Sequence, residues 1–129
     1  MFRATARLLQ VTKRTTGIVG LAVHPDPLPV LKQTYNSTLA ELKNLPATSS
    51  YRQAAEAITL SRLNIVESAQ GDIRKVEQTI GGGQIEEILD AAQDELKLVE
   101  KQKELKSWEP LAEKPLPGQW KYFGEESTS

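Results

Sequence analysis

The feature of the sequence that most constrains the fold is a long amphipathic run bounded on both sides by residues that stop a helix. It spans residues 84–108, after the glycines of residues 81–83 and before Glu109-Pro110. Glycine disfavours a helix interior, and the residue before proline avoids the helical region, so both ends are defined. The run predicts a helix of roughly 37 Å against which the rest of the chain packs. Its apolar residues recur at the spacing of one helix face: Ile85, Ile88, Leu89, Ala92, Leu96 and Val99.

Shorter helical patterns lie upstream of this run. One occupies residues 29–46, where Asp26 suits the cap position and Pro27 the first turn, because the N–H that proline lacks would have no partner there. Another covers residues 50–69, and a short one covers residues 73–80. The short pattern leads into the glycines, and we expect at least one of them to cap it with a positive φ.

The connections between these patterns decide the predicted fold class. Ser50 and Gln53 predict a capping box at the start of the second helix, close behind the end of the first. Short connections make successive long helices run in opposite directions. We therefore predict an all-α fold, a small antiparallel three-helix bundle with extended N- and C-terminal segments.

Composition divides the chain into four segments. Residues 1–16 form a basic segment, residues 17–29 an extended docking segment, residues 30–109 the three-helix bundle and residues 110–129 an extended segment with prolines and a tryptophan. The first segment has no acidic residue, which is typical of a mitochondrial targeting segment. A basic disordered tail is the alternative interpretation. The charges of this segment are Arg3, Arg7, Lys13 and Arg14.

Both extended segments carry residues suited to binding a partner. Residues 15–23 combine glycines with a continuous apolar run that fits no helical face, so we interpret them as an extended strand that needs a groove to lie in. The C-terminal segment carries large aromatic side chains, which commonly anchor protein interfaces. The candidate partner-binding residues are Gly17, Ile18, Gly20, Leu21, Trp108, Pro110, Trp120 and Tyr122.

Composition also excludes several functional classes. The 129 residues, 39% of them hydrophobic, support one domain with a modest core. A net charge of −1 gives no overall field for nucleic acid or an anionic membrane. The absence of cysteine excludes disulfides, thiolate metal sites and a cysteine nucleophile. No apolar stretch approaches the roughly 20 residues that span a bilayer.

The motifs that could carry chemistry lack their required partners. Residues 81–83 precede a helix, but Glu86-Glu87 follow where a phosphate-binding loop needs lysine and a hydroxyl residue. His24 is the only histidine and has only Asp26 nearby, so we interpret it as a turn residue. We predict no catalytic, cofactor-binding or metal site, and no enzyme. The acidic residues near the start of the long run are interpreted as a solvated face: Glu86, Glu87, Asp90, Asp94 and Glu95.

Five stretches, taken together and in order, resemble one known family. They are residues 15–23 (Thr-Thr-Gly-Ile-Val-Gly-Leu-Ala-Val), Tyr51-Arg52, residues 82–87 (Gly-Gly-Gln-Ile-Glu-Glu), residues 108–111 (Trp-Glu-Pro-Leu) and residues 119–121 (Gln-Trp-Lys). Each is weak alone, but five in sequence are specific. They are similar to the family of subunit five of the alpha subcomplex of mitochondrial NADH:ubiquinone oxidoreductase, respiratory complex I.

The resemblance implies a function through contact rather than chemistry. It implies a non-catalytic accessory subunit that stabilises the matrix-side peripheral arm near the quinone-reducing module, and so supports electron transfer from NADH to ubiquinone. It implies core and accessory subunits of that arm as partners, and a peripheral position on the matrix side of the mitochondrial inner membrane. It implies no cofactor, nucleic acid, membrane span or small-molecule substrate. The residues themselves leave open a free-standing helical adaptor or assembly factor that binds its client transiently.

Overall fold

The computed structural model describes residues 13–119 and confirms the all-α class. Within this range the chain forms four helices and no β-strand. Three of the helices are long and the third in order is short. Their bounds are α1, Pro27–Leu42; α2, Ser50–Ser68; α3, Ile73–Ile80; and α4, Ile85–Leu105.

Helix α1 begins at the predicted proline. Asp26 is the residue before the helix, and Pro27 occupies its first turn, where the missing N–H removes no hydrogen bond. The side chain of Asp26 makes no capping hydrogen bond. Residues 27–29, predicted as part of the extended docking segment, are therefore helical. The helix ends at Leu42, four residues before Pro46.

Helix α2 is capped one residue earlier than predicted. The Ser49 hydroxyl accepts a hydrogen bond from the Arg52 N–H at 3.3 Å, so Ser49 and not Ser50 is the cap. The predicted box partner Gln53 instead donates from its side chain to the Ala47 carbonyl at 3.0 Å. Adjacent serines offer the same hydroxyl chemistry, and the course of the preceding loop selects between them.

The short helix α3 is held at both ends by local hydrogen bonds. The Asp72 carboxylate accepts from the Lys75 N–H at 3.2 Å, and the N–H of Gly81 donates to the Glu77 carbonyl at 2.9 Å. Gly81 has φ +69° and Gly83 has φ +88°, which confirms the expected positive-φ cap. The glycines therefore separate α3 from α4 by reversing the local backbone handedness.

Helix α4 starts as predicted but ends earlier. At its start, the Gln84 N–H donates to the Glu87 carboxylate at 2.8 Å, and the Ile85 N–H donates to the Glu77 carboxylate at 2.9 Å. Its last residue is Leu105 and not Trp108, because Lys106 adopts the left-handed conformation (φ +49°). This reversal turns the chain so that Trp108 packs back against the bundle.

Helix α1 is the centre of the packing. It contacts both α2 and α4, whereas α2 and α4 make little contact with each other. A larger core joins the three long helices and α3, and a smaller core lies near the end of α1 and the C-terminal half of α4. The larger core includes Leu28, Leu31, Tyr35, Leu63, Val66, Val76, Ile85, Ile88, Leu89 and Ala92; the smaller core comprises Leu42, Leu45, Ala55 and Val99.

Candidate partner-binding surface

Residues 13–24, called the N-terminal loop below, lie on the first turn of α4 and cover a carboxylate. Glu86 is only 3% exposed, although the sequence places it on a solvated acidic face. The Lys13 ammonium donates to Glu86 Oε2 at 2.5 Å and to Gln84 Oε1 at 2.9 Å. The backbone N–H of His24 donates to Glu86 Oε1 at 3.3 Å. The interpretation of Glu86 as solvated is thus wrong, because residues far away in sequence cover it.

The environment of Glu86 favours its charged form. Burial acts to raise the pKa of the Glu86 carboxyl, since a charge is poorly solvated there. The hydrogen bond from Lys13 and those from the backbone of Glu86 and His24 outweigh burial, so the pKa lies below its ordinary value of 4.5. Glu86 is therefore an ionised anchor for the N-terminal loop at neutral pH.

The residues predicted as an extended strand form a turn instead. The Thr16 carbonyl accepts from the Gln84 side chain at 2.7 Å, and the Thr16 hydroxyl donates to the Leu21 carbonyl at 2.6 Å. The Leu21 N–H in turn donates to the Ile18 carbonyl at 3.3 Å. Gly20 has φ +82°, the value that the third residue of a type II turn requires. Thr16 and Gly20 thus close the segment on itself, which explains why it is not extended.

The turn presents apolar side chains to solvent. Val19 at its tip is fully exposed, Ile18 is 42% exposed and Leu21 is half-buried. The structure brings the predicted residues Gly17, Ile18, Gly20 and Leu21 together in this one feature. A shallow groove separates it from the acidic face of α4, where the lining residues are Glu87, Asp90 and Asp94. Val19 is not among the residues predicted from the sequence, although it lies between Ile18 and Gly20, which are.

The second predicted group lies beyond the end of α4. Trp108 is half-buried and packs against the smaller core, and Pro110 is exposed. Leu111 and Leu116, which follow it, are 75% and 72% exposed. Trp120 and Tyr122 lie outside the described residues. Trp108 and Pro110 lie beyond the C-terminal end of α4, whereas the turn lies beside the N-terminal half of that helix, so they belong to two separate surfaces.

The described part of the chain contains neither a cluster of metal-ligating side chains nor a membrane-spanning helix. No three His, Cys, Asp or Glu side chains in residues 13–119 converge where a metal ion could be held. None of the helices in the same range combines the length and the apolar character needed to cross a bilayer. What the geometry offers is apolar surface on fixed loops, which is suited to protein contact.

Comparison with known proteins connects this geometry to a family. Residues 20–87 match the model of a family described as the ETC complex I subunit conserved region. The match covers just over half of the chain. It includes the turn from Gly20 onward, the helices α1 to α3 and the Glu86 anchor, and it ends at Glu87.

Similar proteins extend the match over most of the chain in fungi, animals and plants. The chain is 52% identical over 111 residues to NADH dehydrogenase (ubiquinone) 1 alpha subcomplex subunit MCI4 of Candida albicans, which covers 85% of this chain and 79% of that protein. It is 44% identical over 110 residues to the alpha subcomplex subunit 5 of Bos taurus, and this alignment covers 85% of this chain and 94% of that protein. It is 42% identical over 107 residues to the probable alpha subcomplex subunit 5 of Arabidopsis thaliana, and this alignment covers 82% of this chain and 63% of that protein. The chain therefore belongs to the family of alpha subcomplex subunit 5, a non-catalytic accessory subunit of mitochondrial respiratory complex I.

Proposed function

We propose that this chain is built into the peripheral arm of complex I on the matrix side, near the quinone-reducing module, and stabilises that arm. Through this role it supports electron transfer from NADH to ubiquinone without taking part in the chemistry. The observation that carries the proposal is the family match, which runs from Gly20 in the turn through α1, α2 and α3 to Glu87 in the first turn of α4. Other subunits of the arm are its partners, and its attachment to the inner membrane is peripheral.

The turn of the N-terminal loop is the first proposed contact. The exposed apolar side chain at the tip of the turn does not stabilise the isolated chain. Hydrogen bonds to Gln84 and Glu86 nevertheless hold the loop in one position. A fixed loop loses little conformational entropy when a partner covers it. Full burial of a side chain such as Val19 contributes about 1.5–3 kcal/mol. We assign Gly17, Ile18, Gly20 and Leu21, together with Val19, to this contact.

The C-terminal group is the second proposed contact. Trp108 has two roles in this proposal, because it packs on the smaller core and still leaves part of its ring exposed. Pro110 directs the chain away from the bundle, and the leucines after it are exposed. We place Trp120 and Tyr122 in the same contact as aromatic anchors.

The arrangement of the long helices belongs to the same proposal. We infer that α1, α2 and α4 form an antiparallel three-helix bundle with α1 in the middle. The seven residues between α1 and α2 are short enough to favour this order, as is the packing of α1 against both neighbours. In such a bundle the two proposed contacts face two different regions of the arm.

Depletion of the chain tests the proposed role. In cells that lack it, we expect less assembled peripheral arm and a matching loss of NADH-to-ubiquinone electron transfer in isolated membranes. The control is NADH oxidation by a small artificial acceptor, which measures the flavin site of each arm that remains. This activity per arm should be unchanged, because the chain supplies no catalytic group. Normal arm content together with normal electron transfer would contradict the proposal.

A further inference from the structure

A cleft lies between α2 and α4, which make little contact with each other. Its walls come from these two helices and its floor from α1, through Tyr35 and Thr38. Its volume is about 270 Å³. That exceeds the roughly 150 Å³ that hold one benzene ring and lies below the roughly 300–1,000 Å³ of small-molecule sites. The cleft therefore has the size of one large side chain and not of a cofactor.

The polar side chains at the two ends of the cleft differ in their hydrogen bonding. At one end the Tyr51 hydroxyl donates to the Glu95 carboxylate, which links α2 to α4. At the other end stand Tyr35 and Arg62. Since Arg62 follows Tyr51 by eleven residues on α2, the two ends are about 16 Å apart. Small and apolar side chains, among them Ala55 and Ile58, separate them.

The Tyr35 end lacks a hydrogen-bond acceptor. Tyr35 is only 4% exposed, and the proton of its buried hydroxyl has no acceptor among the residues that the structure describes. Arg62 is half-buried and forms no ion pair within residues 13–119. Burial raises the pKa of the Tyr35 hydroxyl, while the charge of Arg62 and a hydrogen bond that its guanidinium donates to the Tyr35 oxygen act to lower it. Burial has the larger effect, so the hydroxyl is protonated at neutral pH. Both groups are then donors, and a buried donor without an acceptor is destabilising.

We propose that this end of the cleft binds the carboxylate of an aspartate or glutamate side chain from a neighbouring complex I subunit. A carboxylate offers the two acceptor oxygens that the Tyr35 hydroxyl and the Arg62 guanidinium lack, and its charge complements that of Arg62. Because the Tyr35 hydroxyl is enclosed in the free chain, the half-buried Arg62 side chain turns toward the cleft when the carboxylate binds. The stem of the acidic side chain lies along Ile58, which is 54% exposed at the mouth of the cleft. The inference rests on the proposed function, because a subunit of the arm is what supplies the acidic residue.

Competition for incorporation tests this contact in the assembled complex. Wild-type and variant chains are expressed together at equal levels, and their ratio in purified complex I is measured by mass spectrometry. We expect Tyr35→Phe and Arg62→Gln each to be incorporated about tenfold less than wild type, the loss that follows removal of a hydrogen bond to a charged group. Arg62→Lys retains the charge and should recover part of the loss.

Two control variants separate this contact from general damage. Arg74→Gln removes an exposed arginine on α3, and Tyr51→Phe removes the hydroxyl at the other end of the cleft. Neither should change the incorporation ratio by a comparable factor. The isolated Tyr35→Phe chain should melt at or slightly above the wild-type temperature, because the substitution deletes an unsatisfied group. A lower incorporation ratio at unchanged melting temperature assigns the effect to the complex.

A photo-crosslinking residue at Ile58 identifies the occupant. The expected product joins this chain to a peptide of another complex I subunit that contains aspartate or glutamate. A cross-link to a second copy of this chain would overturn the inference, as would wild-type incorporation of both Tyr35→Phe and Arg62→Gln. In that case the proposed function stands if the wild-type chain is in the complex, and it fails with the inference if the wild-type chain is absent.

Discussion

Lys13 and Glu86 show how a single pair of side chains can attach a loop to a helix. The Glu86 carboxylate is buried at the start of α4, and the Lys13 ammonium lies 2.5 Å from it with 29% of its side chain exposed. A buried carboxylate that loses its partner is destabilising, because the free energy lost when it left water is no longer offset by the ion pair. The pair therefore stabilises the N-terminal loop more than the exposed ion pairs of the helix surfaces stabilise their own helices.

Replacing Lys13 tests this attachment. We expect Lys13→Ala to lower the free energy of unfolding by about 1–3 kcal/mol, as hydrogen bonds to charged groups typically do. Denaturant unfolding measures the change. Glu86→Gln in the same chain removes the unpaired charge, so the double variant should recover part of the loss. If the two single effects simply add, the residues are not coupled and the loop is held by other contacts.

The pH dependence of stability follows from the lowered pKa of Glu86. A carboxyl whose pKa is lower in the folded than in the unfolded chain stabilises the fold above the unfolded pKa, near 4.5, and loses that contribution as the pH falls through the folded value. The free energy of unfolding should therefore fall more steeply below about pH 5 in the wild type than in Glu86→Gln. Parallel curves would show that folding leaves the pKa of Glu86 unchanged.

Two surface carboxyls do not disturb this comparison. Hydrogen bonds from Lys103 and Lys101 lower the pKa values of Glu41 and Glu104 respectively. Both groups are present in the wild type and in the Glu86→Gln variant, so their contributions cancel in the difference between the two curves.

At the scale of the elements, the glycines between α3 and α4 set the course of the chain. Gly83 has φ +88°, and a Cβ there would overlap the Glu87 carboxylate that caps the Gln84 N–H. Gly82 has no positive φ, and a Cβ there would approach the side chains of Ile88, at 3.3 Å, and Ile80, at 3.5 Å. Neighbouring glycines thus carry different conformational demands.

Alanine at each of these two glycines tests the difference. We expect Gly83→Ala to destabilise the chain by about 2 kcal/mol, because it combines left-handed strain with loss of a helix cap. The matched control Gly82→Ala should stay within about 1 kcal/mol of wild type, since the backbone conformation of Gly82 is open to alanine. Thermal unfolding of the two variants decides the point, and equal stability would show that the glycines are interchangeable.

The same elements show how far the sequence predicts the fold. The helices were predictable because apolar spacing, Pro27 and the glycines are local signals. The turn at Gly20 was not recognised, because an apolar run with glycines is equally compatible with a strand until Thr16 closes it. The predicted cap, Ser50, is one residue away from the observed cap, Ser49, because no local signal distinguishes two adjacent serines.

The candidate site was predictable only in part. Gly17 to Leu21 form one feature, as their adjacency suggests, but the burial of Glu86 depends on a lysine 73 residues away. No local pattern announces a contact of that separation. The cleft between α2 and α4 likewise depends on how these two helices pack against α1. The apolar periodicity of each helix does not predict that arrangement.

At the scale of the whole molecule, the N-terminal loop limits how the chain can be processed. Lys13 belongs to the segment with targeting character, yet it pairs with Glu86 in the folded chain. Removal of residues 1–16 would leave that carboxylate without its ammonium. We therefore expect the intact mass of the chain isolated from mitochondria to include Lys13, whether or not residues before it are removed. A mature chain that begins at Arg14 or later would show that the pair is dispensable.

A permanent subunit of complex I and a transient adaptor differ in how they migrate on a native gel, and we propose that the folded chain is a permanent subunit. The most direct test of this proposal is the distribution of the chain after gentle detergent extraction of mitochondria and separation on a native gel, followed by mass spectrometry of each slice. We expect the chain to peak with the complex I subunits and to keep a constant ratio to them across the peak. Recovery of most of the chain in low-mass slices, with complex I intact elsewhere on the gel, would contradict it.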